Sequence, residues 1–261
     1  MKSLEELQRN WEGFAQTDPL WAICTDPNKR HNQWSREEFF ATGKNEIDVV
    51  LGCVAEVGAP IERNSPALDF GCGVGRLTRA MAEHFPECWG VDISPTMIAL
   101  AQQFNQDIPQ CRFLLNEKNN LEALQDNYFG FIYTSIVLQH IGPPFNRKYI
   151  AELVRVLKPG GTLVFQLPDR LCGGMIRKLR AKLALRSRLK SLVGRGKLFN
   201  MEMHCLEEAT ISKLVRDCDA RVVDVRLTNS TDLSFSGKLQ YLKQASESGY
   251  VSKQYCVVKH G

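Results

Sequence analysis

Asp69-Phe70-Gly71-Cys72-Gly73-Val74-Gly75 puts an acidic residue and three alternating glycines where a short apolar run meets a helical pattern. Glycine has no Cβ, so the backbone of such a turn can approach a ligand closely. Glycine turns of this kind serve several nucleotide-like ligands, and the neighbouring residues tell them apart. The dinucleotide fingerprint GxGxxG would need a glycine or alanine at position 76, which is Arg76; the third glycine falls one place early. That disfavours a nicotinamide oxidoreductase. A pyrophosphate is bound by bare N–H groups at a helix N-terminus. Asp69 at the strand end suits instead a ligand that carries positive charge and no phosphate.

Asp92 closes the next apolar run, Cys88-Trp89-Gly90-Val91. A carboxylate at that place, about 20 residues beyond a glycine turn, fits one that accepts hydrogen bonds from two ribose hydroxyls. A plain turn aspartate is the other reading. An imidazole titrates near neutrality, so histidines are the residues to weigh as proton acceptors. His204 precedes the helix at 206 and is the weaker candidate, since capping or packing against that helix accounts for it. His31, His84 and His260 read as surface residues.

The elements that must position these residues alternate. Strands are expected at 67–70, 88–92, 111–115, 129–134, 162–166, 221–227 and 254–259. Helices open after the glycines, with Leu77, Met81 and Phe85 at helical spacing, and after Ser94-Pro95, a good N-cap and first-turn pair. A helix through Ile150, Leu153, Val154 and Leu157 stops at Lys158-Pro159-Gly160-Gly161, and another spans 206–217. Strands alternating with helices imply a mostly parallel sheet covered on both faces. Before them, 3–15 reads as an amphipathic helix with Leu4, Leu7, Trp11 and Phe14 on one face. Residues 17–34 read as a loop and 44–57 as a second helix. Residues 1–62 are therefore expected to form a helical extension, and 63–261 the main domain with an insertion at 168–203.

In this order and spacing the residues resemble the class I S-adenosylmethionine-dependent methyltransferases. The match is carried by Ala67 to Leu77, Gly90-Val91-Asp92-Ile93-Ser94, Ile136-Val137-Leu138-Gln139-His140-Ile141 and Arg155-Val156-Leu157-Lys158-Pro159-Gly160-Gly161. It covers about 65–167 well, 201–259 loosely and 1–60 hardly at all. The resemblance implies a doubly wound, seven-stranded Rossmann-like α/β sheet of order 3-2-1-4-5-7-6 with the last strand antiparallel. It implies S-adenosyl-L-methionine as cofactor, with Asp69, Gly71, Cys72 and Gly73 around its methionine part and Asp92 on its ribose. Ile93, Met97, Thr134 and Gln139 complete the contacts. The loop Glu117 to Leu121, with Asn119, Asn120 and Leu121, lines the adenine. The resemblance places His140 beyond the fourth strand, facing the methyl group, as the candidate base; capping or packing against the following helix is its other reading. The chain departs from the family at Gly130, where many members carry an aspartate.

A small-molecule acceptor is expected, methylated on an oxygen of a sugar or secondary metabolite. Thr134-Ser135-Ile136-Val137 stands where amino-methylating nucleic-acid and protein enzymes often carry an NPPY-like tetrapeptide. Charge agrees: ten basic and no acidic residues lie between Arg170 and Lys197, which leaves 23 basic against 29 acidic elsewhere. The main body is mildly acidic and nucleic acid is disfavoured. Three readings stay open for the basic segment: a solvated lid helix, an anionic lipid or membrane-surface contact, or a site for an anionic acceptor. A methyltransferase acting on lipid, RNA or protein through that segment is the alternative function. Trp11, Trp21 and Trp34 are core residues or part of a lid. The nine cysteines form no CxxC pair, so neither a disulfide framework nor a metal site is expected. With no signal-peptide pattern at the start, cytoplasmic residence is the expectation.

Overall fold

A computed structural model describes residues 3–173, 201–232 and 235–261. Helices α1 (Leu4–Thr17), α2 (Pro19–Ile23) and α3 (Arg36–Glu56) precede the sheet. Then follow β1 (Ala67–Phe70), α4 (Arg76–Met81), β2 (Cys88–Asp92), α5 (Pro95–Phe104), β3 (Cys111–Leu115) and β4 (Phe129–Thr134). The chain continues through α6 (Phe145–Val156), β5 (Leu157–Cys172), α7 (Glu208–Asp217), β6 (Ala220–Thr228), β7 (Tyr241–Leu242) and β8 (Gly249–Lys259). No helix among the described residues is long and apolar enough to cross a membrane.

The strands form one sheet in the order β3-β2-β1-β4-β5-β8-β6-β7. The first five in that order run parallel, with Ala67 opposite both Cys88 and Phe131. The chain's last strand is antiparallel and inserted between β5 and β6, as the family resemblance implies. Among the described residues the expected count of seven strands is corrected to eight. The extra one, Tyr241–Leu242, pairs with Leu227 and Thr228 at the sheet edge. Strand β5 is also much longer than 162–166, because Leu157 already pairs with Phe129 and residues 170–172 still pair with 249–251.

Side chains alternate across the sheet, so each face has its own core. Leu68, Phe70, Ile132, Leu163, Phe165 and Val257 face α6 and α7 through Ile150, Leu153, Ile211 and Val215. Ala67, Phe131, Tyr133 and Val164 face α3 and α4 through Ile47, Val50, Leu51, Val54 and Met81. Each such large aliphatic or aromatic side chain, once buried, contributes about 1.5–3 kcal/mol.

Helix α3 is thus a layer of the sandwich, although sequence reading assigned it to the extension. It starts at Arg36, well before the expected 44, because Ser35 caps it by accepting from the Glu38 N–H at 3.2 Å. Gly43 interrupts the helical pattern in the sequence but is needed there: a Cβ would lie 2.5 Å from the Arg76 carbonyl oxygen. The segment read as a loop holds α2, capped by Asp18 and opened by Pro19. At Gly130 a Cβ would come within 2.5 Å of the Ser65 Cβ. The family aspartate therefore has no room here.

Candidate active site

The glycine turn leaves β1 and enters α4. Gly71, Gly73 and Gly75 all take the left-handed conformation, with φ of 79°, 53° and 84°, which only glycine adopts at little cost. Space demands them too. A Cβ on Gly71 would sit 2.3 Å from a Val137 methyl, and one on Gly73 would sit 2.4 Å from the Ile23 Cδ1. The amides of Gly71 and Cys72 donate to the Val91 carbonyl at 2.7 and 3.0 Å, which ties the turn to β2.

Asp92 stands where β2 ends. Its two carboxylate oxygens accept from the N–H groups of Gly73 and Ser94, each at 2.9 Å. Burial pushes its acidity towards the neutral form, and these backbone bonds oppose that. Glu12 of α1 reaches over to the same corner. It accepts from Ser94 Oγ at 2.6 Å, from the Thr96 N–H at 3.1 Å and from Thr96 Oγ1. Burial works against its charge, but the bonds from Ser94 and Thr96 prevail and hold Glu12 below the ordinary carboxylate range.

These pieces surround a cavity of about 950 Å³, counted to its open mouth. Among the expected cofactor residues, Gly71, Cys72, Gly73, Asp92, Ile93 and Met97 line it. The others do not. Asp69 lies beneath the turn, facing α4, and accepts from Thr78 Oγ1 at 2.7 Å. Burial pushes its carboxyl up to about 7. Asn119 is exposed and accepts from Lys148 Nζ. Asn120 donates to Glu122, and Leu121 is buried with its N–H on Glu152. Thr134 is buried, and Gln139 is held in a polar chain behind the cavity wall. Beside Asp92 it is Asn116 that lines the cavity instead. Its N–H donates to the Asp92 carbonyl at 2.9 Å, and its side-chain amide donates to the Lys118 and Asn120 carbonyls.

His140 does not line the cavity either. It is 2% exposed, with Nδ1 2.8 Å from the Glu202 carbonyl and Nε2 3.1 Å from the Gln139 side-chain nitrogen. Burial drives its pKa down to about 4. His204 is half-buried, donates its backbone N–H to the Gln139 carbonyl, and has Nε2 3.4 Å from a Glu202 carboxylate oxygen. Burial lowers its pKa as well.

Other lining residues were not singled out in the sequence as cofactor contacts: Leu7, Ile23, Ser135, Ile136 and Tyr149. Trp11 joins them from α1. Its ring meets His140 edge-on at 5.3 Å. Trp21 and Trp34 are core residues whose indole N–H groups donate to the Asp26 and Cys24 carbonyls. Arg76, noted only as a departure from the dinucleotide pattern, is buried and paired: to Glu46 at 2.8 Å and to Thr42 Oγ1 at 3.2 Å. Tyr133 donates its hydroxyl to the same Glu46 at 2.8 Å. The basic segment beyond residue 173, with the lid, lipid and acceptor readings attached to it, lies outside the described residues.

The sheet order and the glycine-turn cavity resemble those of class I S-adenosylmethionine-dependent methyltransferases, and comparison with known proteins points the same way. Residues 68–165 match the family model described as a methyltransferase domain. A trans-aconitate 2-methyltransferase of Variovorax paradoxus is 35% identical over 112 residues, 42% of this chain and 41% of that protein. A carboxy-S-adenosyl-L-methionine synthase of Chromohalobacter salexigens is 32% identical over 136 residues, 49% of each. The matched segments therefore span less than half of these curated relatives. A magnesium protoporphyrin IX methyltransferase of Synechocystis PCC 6803, solved with S-adenosylhomocysteine bound, superposes with a TM-score of 0.58. It covers 97% of this chain and 98% of its own at 17% identity, a likeness of fold.

Proposed function

We propose that this chain binds S-adenosyl-L-methionine in the cavity beside the glycine turn and transfers its methyl group to an oxygen of a small-molecule acceptor. The observation that carries the reading is Asp92: a buried carboxylate at the end of β2, fixed by the Gly73 and Ser94 N–H groups, in a cavity whose floor tolerates only glycine. Two backbone N–H bonds leave lone pairs on Asp92 for the two ribose hydroxyls. When bound, the cofactor supplies an electrophilic methyl group on a sulfonium. The chain's part is to align it with the acceptor and exclude water, which converts an encounter into a unimolecular step. Trp11, Leu7 and Ile23 from α1 and α2 cover the cavity and serve that exclusion.

A neutral hydroxyl acceptor would also need a base. Among the described residues lining the cavity, Asp92 is the sole carboxylate and no histidine is present. The sequence from 174 to 200 contains no histidine, aspartate or glutamate. This supports an acceptor oxygen that is already ionised at neutral pH, a carboxylate or an acidified phenol of a metabolite, over a neutral sugar hydroxyl. The relative named for trans-aconitate is in keeping with that choice. The test is methyl transfer from labelled S-adenosylmethionine to a panel of carboxylates, phenols and sugars. Turnover with carboxylates or phenols is expected. Turnover confined to sugars would overturn the acceptor class.

A further inference from the structure

His140 is anchored between two backbone groups whose roles admit no choice. At one end the Glu202 carbonyl, 2.8 Å from Nδ1, can only accept. Nδ1 must therefore carry a proton. At the other end the Ile136 N–H, 3.1 Å from Gln166 Oε1, can only donate. That fixes the Gln166 amide: its oxygen faces Ile136, and its nitrogen faces Gln139 Oε1 at 3.1 Å and Ser252 Oγ at 2.8 Å. Gln139 must then turn its oxygen to Gln166 and its nitrogen to His140 Nε2, at 3.1 Å. Nε2 must accept. Amide and imidazole orientations are normally free assignments, but here the chain is fixed independently from both ends, and the two ends agree.

We infer that His140 is a positioning residue whose basic lone pair is consumed by Gln139, and that it fixes the cavity wall through Gln139 and Gln166. The wall needs fixing. Ile136 has φ of 60°, a strained value for a β-branched residue. Its neighbour Val137 packs over Gly71, where a Cβ would come within 2.3 Å. Gln166 holds the Ile136 N–H, Gln139 orients Gln166, and His140 orients Gln139. The ring itself cannot reach an acceptor without breaking this chain, because it is buried edge-on against Trp11 and does not line the cavity. Among the described residues, the charged and titratable neighbours of the ring are His204 and Glu202. His204 disfavours a second positive charge on His140. The inference deepens the methyl-transfer reading and rests on it only for the consequence in turnover.

The test is ring-nitrogen NMR of the full chain labelled with ¹⁵N-histidine, with His140 assigned from the signal lost in His140→Asn. If that variant does not fold, the signals lost in His31→Asn, His84→Asn, His204→Asn and His260→Asn assign it by elimination. His140 is expected as the neutral Nδ1–H form, without titration from about pH 5.5 to about pH 9. The sharper arm changes a residue that His140 does not touch. Gln166→Glu keeps an acceptor for Ile136 but presents only oxygen to Gln139. Gln139 must then reverse and offer its own oxygen to Nε2, so His140 is expected to gain a proton and show both N–H signals at neutral pH. If Gln166→Glu does not fold, Gln139→Glu makes the same demand from the adjacent position. An Nε2–H form in the wild type, titration of His140 near neutrality with a matching limb in the pH–rate profile, or an unchanged His140 in the folded glutamate variant would each overturn the inference. Failure of the wild type to bind S-adenosylhomocysteine would instead sink the cofactor reading and leave the imidazole result standing.

Discussion

Glu12 of the first helix accepts from the Ser94 hydroxyl at 2.6 Å, and Ser94 in turn caps α5 by accepting from the Met97 N–H at 3.1 Å. One carboxylate thus joins the helix covering the cavity to the helix that follows Asp92. It sits at the positive end of α5, where negative charge is favoured.

Glu12→Ala should therefore loosen α1 rather than unfold the domain. The loss should be about 1–2 kcal/mol, with faster hydrogen exchange confined to α1 and α2. The folded-state acidity of Glu12 lies below the ordinary glutamate value. Its contribution is then fully present above the unfolded pKa and lost as pH falls through the depressed folded value. Exchange of α1 amides at neutral and acidic pH measures this. An α1 equally protected in wild type and variant at neutral pH would show that the contact holds nothing.

Asp92→Ala should weaken S-adenosylhomocysteine binding by about 2–4 kcal/mol, the worth of two charge-assisted bonds. A strand-end carboxylate would be expected to leave the fold untouched. The bonds to Gly73 and Ser94 add a cost, because their N–H groups lose their acceptor. A moderate fall in Tm should accompany the loss of affinity. Calorimetry and thermal melts of Asp92→Ala and Asp92→Asn separate the two effects, and unchanged affinity would make Asp92 a turn residue only.

Glu46→Ala should be the more damaging change, although it touches no ligand. The Arg76 and Glu46 side chains are 4% and 0% exposed. Removing the carboxylate leaves a buried guanidinium without its counter-charge, at a cost of about 3–5 kcal/mol. Tyr133→Phe removes a single bond to the same carboxylate and should cost about 1 kcal/mol. Urea denaturation measures both. Equal, small effects would mean that the pair is not a structural anchor between α3, α4 and β4.

Much of this arrangement is legible in the sequence because its causes are local. Three alternating glycines, a strand-end aspartate and a Ser94-Pro95 helix start each report on their own backbone, and the fold class follows from alternation of periods. What escaped depends on partners distant in the chain. The extent of α3 was hidden by Gly43, whose reason is the backbone of Arg76. The length of β5 depends on pairing with residues near 250. Asp69 reads as a cofactor contact, yet it turns to Thr78 beneath the glycine turn. Asn116 replaces Asn119 and Asn120 at the cavity because its amide closes their loop from within. His140 has the residue type of a base, and only the orientation of Gln139 and Gln166 reveals that its lone pair is occupied.

The most direct measurement is calorimetric titration of the full chain with S-adenosylhomocysteine and, separately, with NADH. The Asp92 and glycine-turn cavity predicts micromolar S-adenosylhomocysteine binding, ~−8 kcal/mol, and no heat from NADH. Tight NADH binding with no response to S-adenosylhomocysteine or S-adenosylmethionine would contradict the account.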